Sequence, residues 1–551
     1  MTTDVEERTT AEPAPARPRR RWLVPLLAVL LLAQLAVAMV TTAVQQTPTI
    51  DEPVYVGTAV TYLEQHSLRY NPEHPPLGKL LMAAGLAFAS PELDPAFRGD
   101  QTALGRHVLY EAGNDPDELM LLARLPIIVL TLLFGLVVFA FARDLTGAAG
   151  GVLALALYAF SPDVITHGSL ATLDVPAIGF LLTAVWLTWR ARAGKRTALL
   201  LALAGAALGA ALATRMSVLP AVPVVLLLAL LATPAWRRGV ATRERLRGLA
   251  LAAGVGVVAV VIVWLSYLAV DPGLRWTPPP GLPDEGLRGL LTGLLPLPEA
   301  YRDGMRVQFA FEDSTFSGFL FGRHYQGSLW YYLPAALLVK TPLGMLALLA
   351  AGAVALLAVP RLRSAAPYVL VLPALLLAVA MTGARDFGTR YAIFMPMFLA
   401  VAAAAVVALK WRWAAVTAGV LAVLVAVSSL RTFPYYLPYS NEAFGGPERT
   451  HLRLHDSNVD WGQDLGRLAD RLRERYPGEP VWLVYKGAGV PEAYGISAKN
   501  PLKVPPEDVH GLLVVSDSSI AKATGKLATL LRTSGEPIDE VGHSISIFRR
   551  P

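Results

Sequence analysis

Long apolar segments recur along most of this 551-residue chain and are separated by short polar connections. Segments of about 17–25 apolar residues have the length of a helix that crosses a hydrocarbon core about 30 Å thick. We therefore expect a polytopic α-helical membrane protein. The pattern predicts eleven spans, over residues 22–44, 121–142, 148–164, 174–191, 198–214, 217–233, 249–270, 336–359, 366–383, 391–409 and 413–429.

The composition agrees with a membrane protein and excludes several other classes. Hydrophobic residues make up 54% of the chain and charged residues only 16%, whereas soluble proteins carry about 25% charged residues. The net charge of +6 does not indicate nucleic-acid binding, because the Lys and Arg residues cluster in short loops between apolar segments. The absence of cysteine excludes disulfides, thiolate metal sites and cysteine nucleophiles.

The distribution of basic residues predicts which side of the membrane each loop faces. If the N-terminal "RPRRR" is cytoplasmic, the even-numbered connections are cytoplasmic as well, and they are basic: "WRARAGKR" (189–196), "WRRGVATRERLR" (236–247), "PRLRS" (360–364) and "KWRW" (410–413). The opposite-side loop 163–174 has no Lys or Arg. An odd number of spans then places the C-terminal region outside the cytoplasm.

Three polar regions share this outer face: residues 45–120, residues 271–335 and the tail from residue 430. The tail alternates a helix-like stretch, "GQDLGRLADRLRERY", with strand-like runs such as "VWLVYKG" and "GLLVVSD". We expect three parts. They are a disordered cytoplasmic N-terminus (1–21), a transmembrane domain (22–429) and a small extracytoplasmic α/β domain (430–551).

Two adjacent acids, Asp51 and Glu52, stand where the first predicted span leaves the membrane. Ionisable groups at such positions are costly and tend to be functional. The outer face also collects cations suited to a phosphate and polar or aromatic side chains suited to a sugar: Lys79, Arg124, Asp174, Lys340, Arg385, Arg390, His74, His324, Tyr55 and Tyr325. The alternative is structural, since "TIDEP" can begin a helix with the acids as caps and Pro53 at its first position.

The first outer loop contains "NPEHPPLGKLL" (71–81). Its prolines predict an extended entry into a short amphipathic helix that lies in the membrane interface, with Lys79 directed at lipid headgroups. Glu73, His74 and His324 are candidates for a divalent metal site, because imidazole and carboxylate suit such an ion. Their spacing does not form a zinc motif, and hydrogen-bonded histidines are the alternative.

Several of these motifs together resemble the protein O-mannosyltransferases, glycosyltransferase family 39. The resemblance covers roughly residues 45–400 and includes the acid pair after the first span, "HPPLGK" and "ARLP" (123–126). Further matching motifs are "SLATLDVPAIGF" (169–180), "FGRHYQGSLWYYLPAALLVKTP" (321–342) and "GTRYAIFMPMF" (388–398). "DSNVDWGQDL" (456–465) resembles the outer domain of bacterial relatives. The lipid A aminoarabinose transferases share this general architecture.

The resemblance implies a GT-C fold and an enzyme that transfers a sugar, with inversion, from a polyprenyl-phosphate carrier on the extracytoplasmic face. The family's catalytic acid corresponds to Asp51, and its arginine at the start of the second span corresponds to Arg124. Glu52 would hold the acceptor or a neighbouring cation, and Asp174 matches an acid of the family pattern, with helix capping as the alternative. No cofactor is required, although some GT-C enzymes use a divalent metal.

Two stretches of the tail have other interpretations. "DSNVDWGQD" gathers the acids, amides and indole that commonly contact sugars, but Ser457 or Asp460 could equally cap the following helix. "GAGVPEAYG" (487–495) contains glycines but lacks the spacing and the βαβ context of a dinucleotide site.

We predict a multi-pass glycosyltransferase of the cell membrane whose partners are a polyprenyl-phosphate-linked sugar, the bilayer and an extracytoplasmic acceptor. The sugar is mannose or another hexose or pentose, and the acceptor is a protein Ser or Thr, a lipid or a cell-wall glycan. A lipid-linked sugar flippase would need polar residues through the midplane, whereas the ionisable residues here lie near the ends of the spans. A catalytically inactive glycolipid-binding scaffold is the other alternative.

Overall fold

The structure is a computed structural model that describes residues 22–236, 238–282 and 286–551. The predicted disordered N-terminus, residues 1–21, lies outside this range. The first half of the chain contains the helices α1 Leu23–Gln45, α2 Glu52–Glu64, α3 Leu77–Leu86, α4 Gln101–Tyr110, α5 Pro116–Thr146, α6 Ala148–Ala159, α7 Pro162–Gly168, α8 Asp174–Ala191, α9 Thr197–Thr214, α10 Ala221–Leu231 and α11 Thr242–Val270.

The second half adds more helices and all the strands. The helices are α12 Gly286–Leu294, α13 Glu299–Glu312, α14 Tyr332–Lys340, α15 Leu343–Ala358, α16 Leu372–Ala380, α17 Phe394–Ala403, α18 Ala414–Thr432, α19 Leu465–Arg475, α20 Asp517–Ala521 and α21 Gly525–Ser534. The strands are β1 Ser317–Leu320, β2 Arg323–Gln326, β3 Val481–Val484, β4 Ala498–Lys499, β5 Gly511–Ser516, β6 Asp539–Val541 and β7 Ile545–Arg550.

Among the described residues, six helices are long and apolar enough to cross a membrane, or up to eight if each of two bent pairs is one span. The six are α1, α5, α9, α11, the stretch Arg363–Ala380 and α18. Their outer surfaces are apolar: Val29 of α1, Val257 of α11 and Val423 of α18 are each more than 60% exposed. The expected polytopic helical membrane protein is confirmed, but the count of eleven spans is not.

The difference in number has a local cause, because several of the predicted spans are interrupted or short. The predicted span 148–164 bends by 63° between α6 and α7, and the predicted span 336–359 bends by 120° between α14 and α15. Pro162 opens α7 and Pro342 precedes α15, and proline lacks the N–H that would continue a helix. The predicted span 217–233 contains only the eleven residues of α10.

Glycines allow the helices of the membrane region to approach closely. A Cβ atom on Gly209 of α9 would lie 2.6 Å from the carbonyl oxygen of Ala259 in α11, and one on Gly205 would lie 2.7 Å from that of Val255. Small residues at such crossings are the usual basis of helix packing in membranes. Substitution at either glycine would push α9 and α11 apart.

The C-terminal region forms a five-stranded sheet in the order β4-β3-β5-β7-β6. Strand β3 is parallel to β4 and β5, whereas β7 is antiparallel to β5 and β6. Leu468 of α19 packs on one face of the sheet and Leu530 of α21 on the other. The small α/β region predicted for the tail is therefore present.

Backbone hydrogen bonds attach this region to the loop after the first span. Thr47 N–H donates to the carbonyl oxygen of Gln463 at 3.0 Å, and Ile50 N–H donates to that of Trp461 at 3.0 Å. The segment between α1 and α2, which leads into the acid pair, is thus held against the stretch 461–463.

Candidate active site

Glu52 and Arg124 form a fully buried ion pair between the start of α2 and the outer part of α5. The side chains are 0% and 1% exposed, and Arg124 Nη2 lies 2.6 Å from Glu52 Oε2. The other carboxylate oxygen accepts hydrogen bonds from Arg124 Nε at 2.7 Å and from Ala171 N–H at 2.7 Å. Both oxygens of Glu52 are occupied, because Oε2 also accepts from Thr49 N–H and Oγ1, each at 2.9 Å.

Arg124 uses its remaining N–H groups on the end of α1. Nη1 donates to the carbonyl oxygens of Ala43 at 2.6 Å and Gln46 at 2.8 Å, and Nη2 donates to that of Thr47 at 3.3 Å. Together with the two bonds to Glu52, these contacts occupy all five donors of the guanidinium.

Substrate contacts of this pair stay a prediction, although the donors of Arg124 and the oxygens of Glu52 are already bonded within the described structure. The pair ties the end of α1 to the first turn of α2, which fixes the position of the neighbouring Asp51.

Asp51 is the N-cap residue of α2, but its side chain makes no capping hydrogen bond. Its Oδ2 accepts from Arg390 Nη1 at 2.6 Å, and the side chain is 29% exposed. Within the described part of the chain, Oδ1 has no hydrogen-bond partner. The capping alternative is thus wrong for Asp51, whose carboxylate lies against a cation and keeps one oxygen free.

Arg390 lies between two aromatic rings. Its guanidinium carbon is 4.3 Å from the ring centroid of Trp461 and 4.9 Å from that of Tyr391, and Nη2 donates to the Tyr391 hydroxyl at 3.2 Å. Its Nε is buried and has no hydrogen-bond partner among the residues that the structure describes. The stacked rings hold the cation in place beside Asp51, and the free Nε leaves it a donor for a further group.

A second cation, Arg215, reaches the same place from the outer end of α9. It pairs with Asp174, and its guanidinium carbon lies 5.5 Å from the centroid of Tyr391. Asp174 is in the first turn of α8, whose N-cap is Leu173, so the suggested capping role of Asp174 is wrong. Arg215 was not among the predicted site residues, although its place at the outer end of a span was a usable signal.

Tyr55 and His74 complete the side of the site formed by the first outer loop. Tyr55 follows Asp51 by one helical turn, and its ring contacts the His74 ring edge-on with centroids 5.6 Å apart. The Nδ1 atom of His74 is buried without a hydrogen-bond partner in the described structure. Burial, then the positive charges of Arg215 and the neighbouring cations, hold the pKa of His74 well below its usual range.

His74 is therefore expected to stay neutral around pH 6.5, where an ordinary histidine titrates, and at higher pH. A His74→Gln variant should keep the shape of the wild-type pH–rate profile over that interval, even if its overall rate falls. The measurement is transfer rate against pH for both proteins. An ionisation that disappears from the profile in the variant would show that His74 titrates and would contradict its neutral state.

The lysines Lys79 and Lys340 were expected to bind substrate, but both are buried and bonded to the protein. Lys79 Nζ donates to the carbonyl oxygen of Asn71 at 2.9 Å, to its Oδ1 at 3.0 Å, and to the carbonyl oxygen of His74 at 2.7 Å. Burial lowers the pKa of Lys79 to about 7. The prediction that Lys79 points at lipid headgroups is wrong, because loop carbonyls face inward and surround it.

Lys340, at the end of α14, has a similar position. Its Nζ donates to the carbonyl oxygen of Asn458 at 2.9 Å and to that of Leu437. The side chain is 2% exposed. Lys340 therefore anchors the chain after α18 to the membrane region, and a substrate contact for it stays a prediction.

Arg385 and Tyr325 each form side-chain hydrogen bonds that connect segments distant in sequence. Arg385 Nη2 donates to Gln308 Oε1 at 2.9 Å and to Glu312 Oε1 at 2.7 Å. The Tyr325 hydroxyl donates to Asp386 Oδ2 at 2.7 Å. Both side chains remain partly exposed, so a substrate role for them stays a prediction.

His324 is exposed on strand β2, whereas Glu73 is buried and accepts from Gln101 Nε2 at 2.8 Å. Among the described residues, no group of three or more His, Asp or Glu side chains is placed to hold a metal ion. The suggested site of Glu73, His74 and His324 is not assembled, since the β1–β2 hairpin presents His324 outward.

The "DSNVDWGQD" stretch is buried, and its contacts support the site. Asp456 pairs with Lys486, and Asp460 accepts from the backbone N–H of Gly462 at 3.2 Å. The following helix α19 has Asp464 as its N-cap residue, so the suggested capping by Ser457 or Asp460 is wrong. The contribution of this stretch to the site is the Trp461 ring beneath Arg390.

A known family matches part of the chain. Residues 117–266, which begin in α5 and end in α11, match the family model described as dolichyl-phosphate-mannose-protein mannosyltransferase. The match confirms, over this part of the chain, the resemblance predicted from the motifs.

Several solved structures are similar to the chain as a whole or in part. Apo ArnT from Cupriavidus metallidurans is 14% identical, covers 95% of this chain and 98% of its own, and has a TM-score of 0.48. The Archaeoglobus fulgidus oligosaccharyltransferase in its apo form is 13% identical, with coverage of 94% and 73% and a TM-score of 0.47.

The S. cerevisiae protein O-mannosyltransferase Pmt1-Pmt2 complex bound to the sugar donor is 19% identical, with coverage of 46% and 36% and a TM-score of 0.36. No curated protein matches the sequence.

Proposed function

We propose that this protein transfers a sugar, with inversion, from a polyprenyl-phosphate carrier to a hydroxyl group outside the cytoplasm, with Asp51 as the catalytic base. The observation that carries the proposal is the state of Asp51. One carboxylate oxygen is held by Arg390 at 2.6 Å while the other has no partner in the described structure. A base held in this way is oriented and still able to accept a proton.

The reaction needs one base and one anion-stabilising region. The acceptor oxygen forms a bond to the anomeric carbon as the bond from that carbon to the phosphate oxygen breaks. The proton of the acceptor hydroxyl passes to Asp51 Oδ1, and the bonding electron pair leaves with the polyprenyl phosphate. Because this leaving group is a stabilised anion, the step requires no separate general acid of the kind used in glycoside hydrolysis.

Arg390 and Arg215 are suited to the phosphate. They converge from the "GTRY" turn and from the end of α9, and their guanidinium carbons lie 4.9 Å (Arg390) and 5.5 Å (Arg215) from the centroid of the Tyr391 ring. Cations positioned before the reaction stabilise the charge that develops on a leaving phosphate. The description of the matched family, which names dolichyl-phosphate mannose, supports a polyprenyl-phosphate donor and makes mannose the first sugar to test.

The proposal also includes an orientation of the protein in the membrane. With a cytoplasmic N-terminus, the first outer loop, the Arg390 turn and the C-terminal region lie together on the extracytoplasmic face. The division into a transmembrane domain (22–429) and an α/β domain (430–551) is part of the same proposal. The hydrogen bonds between residues 47–50 and 461–463 support it, since both segments must then be on one side.

The test is an assay in sealed vesicles that contain the purified full chain and radiolabelled polyprenyl-phosphate mannose, with a hydroxyl-bearing acceptor outside. We expect the label to appear in the acceptor and unlabelled polyprenyl phosphate to accumulate. Movement of intact donor across the bilayer without loss of sugar would indicate a flippase instead. Donor binding without either event would indicate a glycolipid-binding scaffold.

A further inference from the structure

Four basic connections meet at one end of the helix bundle: residues 189–196, 236–247, 360–364 and 410–413. Arg192 Nη1 donates to the carbonyl oxygen of Ser364 at 3.3 Å, which joins the first connection to the third. The Tyr368 hydroxyl donates at 3.1 Å to a main-chain carbonyl oxygen in the last turn of α10, which leads into the second. A Cβ on Gly150, at the start of α6, would lie 3.1 Å from the Cβ of Ala404, which precedes the fourth.

This end of the bundle carries a large excess of positive charge. The described residues of the four connections include twelve Lys and Arg residues, all with exposed side chains, and one acid, Glu244. Among these cations, only Arg190 forms an ion pair with a described residue, because its Nε lies 3.5 Å from Asp144 Oδ2 near the end of α5. Such a surface attracts an anionic partner from outside the protein.

Arg192, the C-cap residue of α8, is held by aromatic rings rather than by an acid. Its guanidinium carbon lies 4.2 Å from the ring centroid of Trp189 and 5.5 Å from that of Tyr368. The hydrogen bond to Ser364 uses one N–H, so four of its five donors have no partner within the described structure. The guanidinium is thus oriented and can still bind a further acceptor.

Arg361 and Arg363 lie next to Ser364 in the chain and therefore close to Arg192. Arg363 Nε donates to the carbonyl oxygen of Leu357 at 2.8 Å and so compensates the negative end of α15. Arg361 is exposed and bonds to no other described residue. Guanidinium groups bind phosphate oxygens through pairs of N–H donors, and three such groups from two segments suit a phosphate.

Exposed tryptophans indicate the depth of these cations in the membrane. Trp236, Trp411 and Trp413 are 57%, 54% and 49% exposed, and exposed tryptophan is enriched where a membrane meets water. Lys410 and Arg412 alternate with two of them along the chain. The cations therefore lie at the level of phospholipid headgroups, where acidic lipids attract Lys and Arg. A soluble polyanion would leave the indole rings without a partner.

This end of the bundle is remote from the active site. Helix α8 begins at Asp174, which pairs with Arg215, and ends at Ala191, the residue before Arg192. Since each helical residue rises 1.5 Å, the two ends of α8 are about 25 Å apart. An anion at Arg192 is therefore distinct from the phosphate proposed at the active site.

We propose that this end of the bundle binds acidic phospholipids of the adjacent leaflet, and that Arg192, Arg361 and Arg363 surround the phosphate of one headgroup. The bound headgroup joins the end of α8 to the segment before α16, which contains the π-helix Pro367–Val371. It therefore stabilises the packing of this part of the bundle. The inference does not rest on the proposed function.

The test measures the melting temperature of the full chain in a neutral detergent during titration with dioctanoyl phosphatidylglycerol. Dioctanoyl phosphatidylcholine is the neutral reference, and we expect only the acidic lipid to raise the melting temperature. The variant Arg192→Gln/Arg361→Gln should raise the half-saturating lipid concentration about tenfold or more, because each cation near an acidic lipid contributes a several-fold gain in affinity. Arg98→Gln/Arg532→Gln is the matched control, since both arginines are exposed elsewhere in the chain; it should respond like the wild type.

Equal responses to the two lipids would overturn the proposal, as would an unchanged half-saturating concentration in Arg192→Gln/Arg361→Gln. The same rise with glycerol 3-phosphate at equal concentration would show that a soluble phosphate is sufficient and would overturn the lipid as the occupant. If the double variant does not fold, Arg361→Gln alone removes no contact with a described residue. It should raise the half-saturating concentration about threefold or more, and a response equal to that of the control would overturn the site.

Discussion

Replacement of Asp51 by Asn is expected to reduce sugar transfer by about 10²–10⁴-fold, the usual contribution of a general base, while expression and membrane insertion persist. The amide keeps the size of the carboxylate, and its carbonyl oxygen can still accept from Arg390, so the geometry at 2.6 Å is preserved. What is lost is the oxygen that takes the acceptor proton. The measurement is kcat with radiolabelled polyprenyl-phosphate mannose in vesicles.

The control for this variant is Asp94→Asn in the same outer loop. Asp94 is exposed, and its side chain accepts only from the nearby backbone of Ala96 at 2.8 Å. Its removal should leave transfer within a factor of about two. Full activity in Asp51→Asn would rule out the base, and equal losses in the two variants would point to a general effect of charge in this loop.

Replacement of Arg124 by Met is expected to lower the free energy of unfolding by about 3–5 kcal/mol, because it leaves the carboxylate of Glu52 buried without its partner. The pair is 1% and 0% exposed, so water cannot compensate. Three carbonyl oxygens at the end of α1 lose their donor as well. The measurement is thermal unfolding in detergent, with transfer activity recorded below the new melting temperature.

Arg143→Met is the matched control, since Arg143 lies near the other end of α5 and is exposed. Its melting temperature should equal that of the wild type. The double variant Glu52→Gln/Arg124→Met should be less destabilised than Arg124→Met alone, because it no longer buries an unpaired charge. If Arg124→Met and Arg143→Met have the same melting temperature, the Glu52–Arg124 pair does not stabilise the fold. The account of how Asp51 is positioned then fails.

The sequence was informative about features that depend only on which side of the membrane a residue is predicted to face. Loop charges predicted that Asp51 and Arg390, which belong to distant segments of the chain, lie on one face of the membrane. Their contact at 2.6 Å agrees with that expectation. The burial of Arg124 was not predictable, because its other partners are main-chain carbonyls, which every residue possesses and no motif reveals.

Lys340 is a second residue whose partners could not be predicted from the sequence. Its partners, the carbonyl oxygens of Leu437 and Asn458, lie 97 and 118 residues further along the chain. Only the folded path of the tail brings them to α14. The count of eleven spans is not confirmed for a related reason: hydropathy sums apolar character, whereas a bend such as that before α15 depends on where Pro342 interrupts the hydrogen bonds.

The backbone and side-chain bonds that join Thr47 to residues 462 and 463 bridge 415 positions or more of sequence. During synthesis Asp51 emerges early. Trp461, whose indole ring contacts Arg390, is made near the end of the chain. The earlier part of the chain therefore enters the bilayer before Trp461 exists. Premature release from the ribosome before Trp461 would leave a membrane-inserted product in which Arg390, the partner of Asp51, lacks the Trp461 ring.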